Sequence, residues 1–127
     1  MQVACPAGGE DGARRFYGDG LGLTEVEKPE SLAGRGGVWF RGDGYELHVG
    51  VEDPFVPARK AHPAFVLDSV AALDELAARL ADLGFEVDLG ERFTFPGYER
   101  LHTFDAHGNR VEVMSRQVLS AVAWGAP

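Results

Sequence analysis

The seven residues Tyr45-Glu46-Leu47-His48-Val49-Gly50-Val51 alternate in polarity, as a strand does when one of its faces is buried. The alternation puts Leu47 and Val49 on the buried face and His48 on the opposite one. Residues 110–114, with the sequence Arg-Val-Glu-Val-Met, alternate in the same way and place Glu112 where the first stretch has His48. Each stretch closes a longer run of elements, so the two halves of the chain resemble each other.

The order of predicted elements is the same in both halves. The first half has a helix that begins at Glu10 and strands at residues 2–5, 23–27, 37–41 and 45–51. The second half has a helix at residues 69–83 and strands at residues 64–67, 86–89, 100–104 and 110–114. Leu21-Gly22-Leu23 follows the first helix as Leu83-Gly84-Phe85 follows the second, which indicates an internal repeat.

The repeat predicts an α+β fold of two tandem βαβββ modules whose curved mixed sheets form a cup-shaped site. We expect a first module at residues 1–52, a linker at 53–61, a second module at 62–116 and a C-terminal tail at 117–127. The tail holds a short apolar patch, which we expect to be covered by its own domain or by a second subunit. That patch comprises Val118, Leu119, Val122 and Trp124.

Composition narrows the classes of partner. The chain of 127 residues has 20 acidic and 12 basic side chains, a net charge of −8, and no basic stripe that would neutralise a row of phosphates. We therefore expect no nucleic-acid partner, and no apolar run is long enough to suggest a membrane span. The single cysteine, Cys5, fits a reducing compartment, and no signal peptide precedes the first strand. A cytoplasmic location follows as an expectation.

Three residues suited to metal binding fall on the predicted inner faces of the sheets. His48 and Glu112 occupy equivalent positions in the last strands, and His62 precedes the first strand of the second module on the same face. A lone histidine on a strand is more often a packed or solvated residue than a ligand. Two histidines and a carboxylate on one predicted face, however, favour a metal site.

The position equivalent to His62 in the first module would lie immediately before Met1. The sequence therefore holds no counterpart of His62 in the first module.

These features resemble the vicinal oxygen chelate superfamily, which includes glyoxalase I, extradiol dioxygenases, fosfomycin-resistance enzymes and bleomycin-resistance proteins. The resemblance rests on the duplication, on Phe16-Tyr17 followed by Leu21-Gly22-Leu23, and on Asp105-x-x-Gly108-Asn109 followed by Glu112. It implies paired modules around a divalent metal ion, often completed across a homodimer. The implied ligands present here are His48, His62 and Glu112. Metal-binding members of the superfamily typically carry a further histidine directly before a segment like Val-Gln-Val, whereas this chain starts with Met1-Gln2-Val3. Our hypothesis is that Met1 replaces a valine encoded by an alternative start codon, and that the natural chain includes this histidine upstream.

The resemblance implies two alternative functions. In the first, zinc, iron, manganese or nickel chelates two neighbouring oxygens of a small substrate, and Glu112 also moves a proton in lyase, isomerase or dioxygenase chemistry. In the second, the chain is a metal-free protein that binds a small molecule or an antibiotic, as bleomycin-resistance proteins do. Candidate substrate contacts in either case are His102, Arg100, Trp39 and Phe95.

Overall fold

The computed structural model describes residues 1–117, and it contains the predicted βαβββ unit twice. The first unit has strands β1, β2, β3 and β4 at Gln2–Cys5, Thr24–Val26, Val38–Arg41 and Glu46–Val51. Its helix α1 covers Glu10–Ala13 and continues as a wider π-helix over Arg14–Gly20. The second unit has helix α2 at Val70–Asp82 and strands β5, β6, β7 and β8 at Ala64–Leu67, Val87–Asp88, Tyr98–Phe104 and Arg110–Arg116.

Each unit folds into its own mixed four-stranded sheet. The first sheet has the order β1-β4-β3-β2 and the second has the order β5-β8-β7-β6. In both, the first strand runs parallel to the last, and the remaining neighbours are antiparallel. The predicted α+β architecture of two equivalent modules is therefore confirmed.

Strand pairing gives the duplication a residue-level register. In the first sheet Gln2, His48 and Trp39 are direct neighbours across β1, β4 and β3. In the second sheet the corresponding row across β5, β8 and β7 is Ala64, Glu112 and His102. His48 therefore has the same place as Glu112, and Trp39 has the same place as His102.

The main differences from the sequence prediction concern the start of β7 and the stretch between β2 and β3. Strand β7 begins at Tyr98 rather than at residue 100, because pairing with β8 continues back to the turn at Gly97, whose φ is 88°. Between β2 and β3, Pro29 precedes a short 3₁₀ helix at Glu30–Arg35, in a stretch where no element was predicted. This short helix matters for the first module because it covers part of the inner face of its sheet.

The helices pack against the sheet faces opposite to those that carry His48 and Glu112. Phe16 is fully buried, with its ring edge-on to Phe85 at a centroid distance of 5.0 Å. Ser69 accepts a hydrogen bond from the Ala72 backbone N–H at 3.0 Å and thereby begins α2. The apolar face of α2 buries Leu73, Leu76 and Leu80. Within residues 1–117 no helix has the length and apolar character needed to cross a membrane.

The turn between β7 and β8 ties the two modules together. The Asp105 carboxylate accepts a hydrogen bond from the Tyr17 hydroxyl at 2.7 Å and another from the Asn109 side-chain amide at 2.9 Å. The same Asn109 amide donates to the Ala4 carbonyl of β1 at 2.7 Å. A buried carboxylate needs such donors. Asp105 and Asn109 therefore have a structural role, which is to link this turn to Tyr17 and Ala4 of the first module. The apolar patch predicted in the tail lies outside the described residues.

Candidate metal centre

Three side chains with suitable donor atoms converge on the inner face of the second sheet. His62 precedes β5, His102 lies on β7 and Glu112 lies on β8, and one donor atom from each is within 4.8 Å of the others. Glu112 and His102 are 5% and 4% exposed. The His62 side chain is 25% exposed. Two imidazole nitrogens and a carboxylate oxygen form a donor set that suits a divalent transition metal.

The environment of His62 fixes which of its nitrogens faces Glu112. Nδ1 lies 2.8 Å from the Lys60 carbonyl oxygen, which can only accept a hydrogen bond, so Nδ1 carries a proton. In the neutral ring the Nε2 lone pair then faces Glu112 Oε1 at 3.0 Å. A lone pair and a carboxylate repel each other unless a proton or a metal cation lies between them. A carbonyl that orients the far nitrogen is the usual arrangement for a metal-binding histidine.

His102 approaches the same carboxylate oxygen from the neighbouring strand. Its Nε2 is 3.2 Å from Glu112 Oε1, and its Nδ1 is buried without a partner among the described residues. Burial, followed by the nearby charge of Arg110, lowers the pKa of His102 below its ordinary value of 6.5. The ring is therefore neutral at neutral pH, as a metal ligand must be. A metal on Nε2 would leave the Nδ1 proton without an acceptor among the described residues, so His102 would be a weaker ligand than His62.

Glu112 is charged at neutral pH despite its burial. Burial raises its pKa, but the contact with His62, the positive charge of Arg100 and the contact with His102 together outweigh burial, so the pKa falls below 4.5. The Arg100 guanidinium contributes through Nη1, which lies 3.5 Å from Glu112 Oε1. A buried carboxylate that stays ionised can accept a cation without first losing a proton.

Arg100 also connects this cluster to the loop between β6 and β7. Its Nη2 donates to the Thr94 hydroxyl at 2.8 Å, and its Nε donates to the Glu91 carbonyl at 3.2 Å. The guanidinium carbon lies 5.6 Å from the centre of the Phe95 ring, a cation–π distance. Phe95 is 42% exposed. Arg100 and Phe95, both predicted substrate contacts, thus lie next to one another beside the cluster.

The structure does not bring His48 into this cluster within one chain. His48 lies on the first sheet, where its ring stacks on Trp39 with a centroid distance of 3.5 Å and an angle of 5° between the planes. Its Nε2 is 3.3 Å from a carboxylate oxygen of Glu46. Of the predicted ligands, His62 and Glu112 are therefore together, and His102, predicted as a substrate contact, joins them.

One signal in the sequence could have found His102. The turn at Asp105 to Asn109 sets the pairing of Phe104 with Arg110, and two residues further along each strand that pairing places His102 opposite Glu112. Sequence reasoning also missed Lys28 and Arg35, which line a cavity next to Trp39. They belong to the stretch between β2 and β3, where no periodic pattern shows which way a side chain points.

A cavity of about 740 Å³ borders the cluster at His62, which is the one cluster residue in its lining. It lies between the first strands of the two sheets, with Gln2 and Ala4 on one side and His62 and Pro63 on the other. The volume suits a small molecule. A ligand in this cavity would approach the cluster from the side of His62.

Comparison with known proteins identifies relatives over nearly the whole chain. The sequence profile of the Glyoxalase/Bleomycin resistance protein/Dioxygenase superfamily matches residues 3–113. The crystal structure of a glyoxalase family protein from Bacillus anthracis is 42% identical, with 91% of each chain covered and a TM-score of 0.83. A lactoylglutathione lyase from Agrobacterium tumefaciens is 27% identical, with 91% of each chain covered and a TM-score of 0.65.

More distant structures share the fold. The antibiotic binding protein TnmS3 from Streptomyces sp. is 19% identical over 91% of this chain and 93% of its own, with a TM-score of 0.67. At this identity the likeness concerns the fold alone. Among the curated proteins searched, none matches the chain.

Proposed function

Because the chain belongs to the Glyoxalase/Bleomycin resistance protein/Dioxygenase superfamily, we propose that it is a divalent-metal-dependent enzyme acting on a small substrate with neighbouring oxygens. The observation that carries this proposal is the convergence of His62 Nε2 and His102 Nε2 on one oxygen of Glu112. The lactoylglutathione lyase from Agrobacterium tumefaciens supports lyase or isomerase chemistry as the class to test first.

In this proposal His62 and Glu112 hold the metal and His102 supplies a third ligand. Zinc, iron, manganese and nickel all suit two imidazoles and a carboxylate, and three protein ligands leave positions open for a substrate. The bound metal would polarise a chelated pair of substrate oxygens and stabilise negative charge that develops on them. The Lys60 carbonyl prepares His62 for this role by holding the proton on Nδ1.

The chain's own residues supply proton transfer and substrate contacts. Glu112 is ionised, so its free oxygen can take a proton from a carbon next to a chelated carbonyl and return it. Arg100 lies close enough to stabilise an anionic oxygen of the substrate, and Phe95 offers an aromatic surface next to it. In this proposal Arg100 and Phe95 therefore act as the substrate contacts that were predicted from the sequence.

His48, the remaining predicted ligand, enters this proposal only through a second copy of the chain. His48 lies on the first sheet and is not part of the cluster in one chain, so it would reach the metal if two copies packed with the first sheet of one against the second sheet of the other. On the edge strand β5 of the second sheet, the inner face carries Val66, which is 61% exposed, and an exposed apolar side chain there supports such a homodimer. We therefore propose a dimer and treat His48 as a candidate fourth ligand.

The second candidate is a metal-free protein that binds a small molecule. The observation that favours it is the Trp39 and His48 stack, which lines a cavity of its own on the first sheet. The cluster in the second module opposes it, because a purely sequestering protein has no need of three converging metal-ligand side chains.

Metal analysis separates the two candidates. Protein purified without a histidine tag is dialysed against each of the four metals in turn, and bound metal is measured by mass spectrometry. The enzyme proposal expects about one equivalent per chain. It also expects loss of the metal in a His62→Ala variant. Substoichiometric metal that the variant leaves unchanged would support the metal-free protein instead.

A further inference from the structure

The loop between β6 and β7, residues 89–97, carries an exposed apolar surface, and we call it the aromatic loop. Both exposed phenylalanines among residues 1–117, Phe93 and Phe95, lie in this loop, and they are 70% and 42% exposed. Leu89 at its start is 48% exposed. Exposed apolar side chains that share one short loop form a surface that another apolar segment can cover.

The two arginines of this region are already paired with carboxylates. Arg92 donates to Asp74 and to Glu99, at 2.8 Å in each case. Arg100, on β7 beside the loop, lies 3.8 Å from a carboxylate oxygen of Glu91. An uncharged segment can therefore cover the aromatic loop without burying an arginine that lacks its counter-charge.

The chain enters the C-terminal tail beside this loop. Past the last strand pair of β7 and β8, the Gln117 backbone N–H donates to the Gly97 carbonyl at 2.9 Å. Residues 118–127 follow directly and lie outside the described residues. An extended chain covers about 3.3 Å per residue, so Trp124 can reach roughly 23 Å from Gln117. Phe93 lies within that reach, because the four residues from Phe93 to Gly97 span at most about 14 Å.

The tail has the composition of a segment that covers an apolar surface. From residue 118 onward it has no charged side chain. Trp124 provides a large aromatic ring, and aromatic rings favour edge-on and offset contacts with one another. Because tail and loop meet at Gly97 in one chain, their effective concentration is high, which favours contact within the chain over contact with a second copy.

We propose that the C-terminal tail docks on the aromatic loop of its own chain, with Trp124 against Phe93 and Phe95. The docked tail then forms one flank of the candidate site, because Phe95 lies 5.6 Å from the Arg100 guanidinium and Arg100 contacts Glu112. The order β5-β8-β7-β6 puts the aromatic loop and the proposed dimer contact at β5 on different edges of the sheet. The docking does not depend on whether the cluster binds a metal.

Disulfide trapping in the full chain tests the docking. Leu89→Cys and Ala123→Cys are introduced together, and Cys5 is kept because it is fully buried. The control pair is Asp68→Cys with Ala123→Cys, since Asp68 is exposed and follows β5 beside the end of β8, on the side away from the loop. With oxidised glutathione as the oxidant, we expect the intrachain disulfide to form about tenfold faster in the loop pair than in the control pair. Equal rates in the two pairs, or disulfides that join two chains, would overturn the proposal.

Substitution of one phenylalanine then tests what holds the tail. Phe93→Ser, added to the Leu89→Cys and Ala123→Cys pair, should slow the trapping about fivefold because it removes an aromatic partner of Trp124. Val56→Ser, at an apolar side chain that is 72% exposed and lies outside the loop, is the matched control and should leave the rate unchanged. Both positions are exposed, so both variants should fold. A trapping rate that Phe93→Ser leaves unchanged would refute the docking.

Discussion

Trp39 and His102 occupy the same place in the two sheets, since each lies on the third strand of its module. Each is directly opposite the candidate ligand on the fourth strand of that module. Trp39 lies opposite His48 and stacks on it, whereas His102 lies opposite Glu112 and contacts its carboxylate. One position in a duplicated unit has thus become an aromatic surface in the first copy and part of a candidate metal centre in the second.

Metal affinity should depend on the second module. We expect His62→Ala and Glu112→Gln to weaken metal binding by more than about a hundredfold, since each removes a ligand that the fold holds in place. His102→Ala should cost less, because metal binding leaves its Nδ1 without an acceptor among the described residues. Competition with a metallochromic indicator measures these affinities. An effect of His48→Ala as large as that of His62→Ala would show that His48 is a full ligand.

The free energy of unfolding of the metal-free protein should decrease in two steps as the pH is lowered. His102 has a folded pKa below 6.5, so below that pH the unfolded chain binds its proton first and the free energy of unfolding decreases. Glu112, with a folded pKa below 4.5, has the same effect at lower pH. Urea titrations between about pH 7.5 and pH 5 should therefore show a shallower loss in His102→Gln than in the wild type. Identical pH dependence in the two proteins would contradict the lowered pKa of His102.

Gly37 should not tolerate a side chain. Its φ is 83°, and a Cβ atom there would lie 2.2 Å from the Val49 carbonyl oxygen. We expect Gly37→Ala to lower the free energy of unfolding by about 2 kcal/mol or more. Gly34→Ala is the control, because a Cβ at Gly34 meets open space and needs no left-handed backbone. Similar denaturation midpoints for the two variants would be inconsistent with the close approach at β4.

The Asp105 carboxylate should be a principal contributor to the contact between modules. Asp105→Ala leaves the buried Tyr17 hydroxyl without its acceptor and the Asn109 side-chain amide with the Ala4 carbonyl alone, so we expect a loss of about 3 kcal/mol. Tyr17→Phe removes one donor only and should cost about 1 kcal/mol. Asp11→Ala, at a side chain that is 96% exposed, should change stability by less than about 0.5 kcal/mol. Chemical denaturation gives all three values.

The proposed dimer should depend on the inner face of the second sheet. Val66→Glu introduces a charge at an exposed position of that face, and we expect it to shift the protein from dimer to monomer in sedimentation experiments. Ala78→Glu on the exposed side of α2 is the control and should leave the mass unchanged. A wild-type protein that stays monomeric at all concentrations would refute the dimer.

The sequence predicted the fold well because its signals are local. Alternating residues in β4 and β8 and the apolar face of α2 each determine an element with little help from the rest of the chain. Gly22 and Gly84 each follow the helix of their own half, and this match indicates that the same order of elements occurs twice. The 3₁₀ helix at Glu30–Arg35 carries no such periodicity, so neither it nor the cavity beneath it was predicted.

The candidate site was predicted in part. Pattern alone placed His62 and Glu112 on one face, and the structure brings them within 3.0 Å of each other. The third member of the cluster, His102, was predicted as a substrate contact and not as a ligand. Alternation shows which face a strand residue lies on but not which side chains meet across strands. His102 meets Glu112 through hairpin register, and His48 meets Trp39 through the register of the other sheet.

The location of the cluster wholly on the second sheet has a consequence for how this protein can change. Substitutions among Lys28, Arg35 and Trp39 change the lining of the cavity on the first sheet, while the donor atoms of the second sheet stay untouched. The cavity and the candidate donor cluster thus lie on separate copies of the repeated unit. Mutagenesis can therefore reshape one copy without moving the side chains that converge in the other.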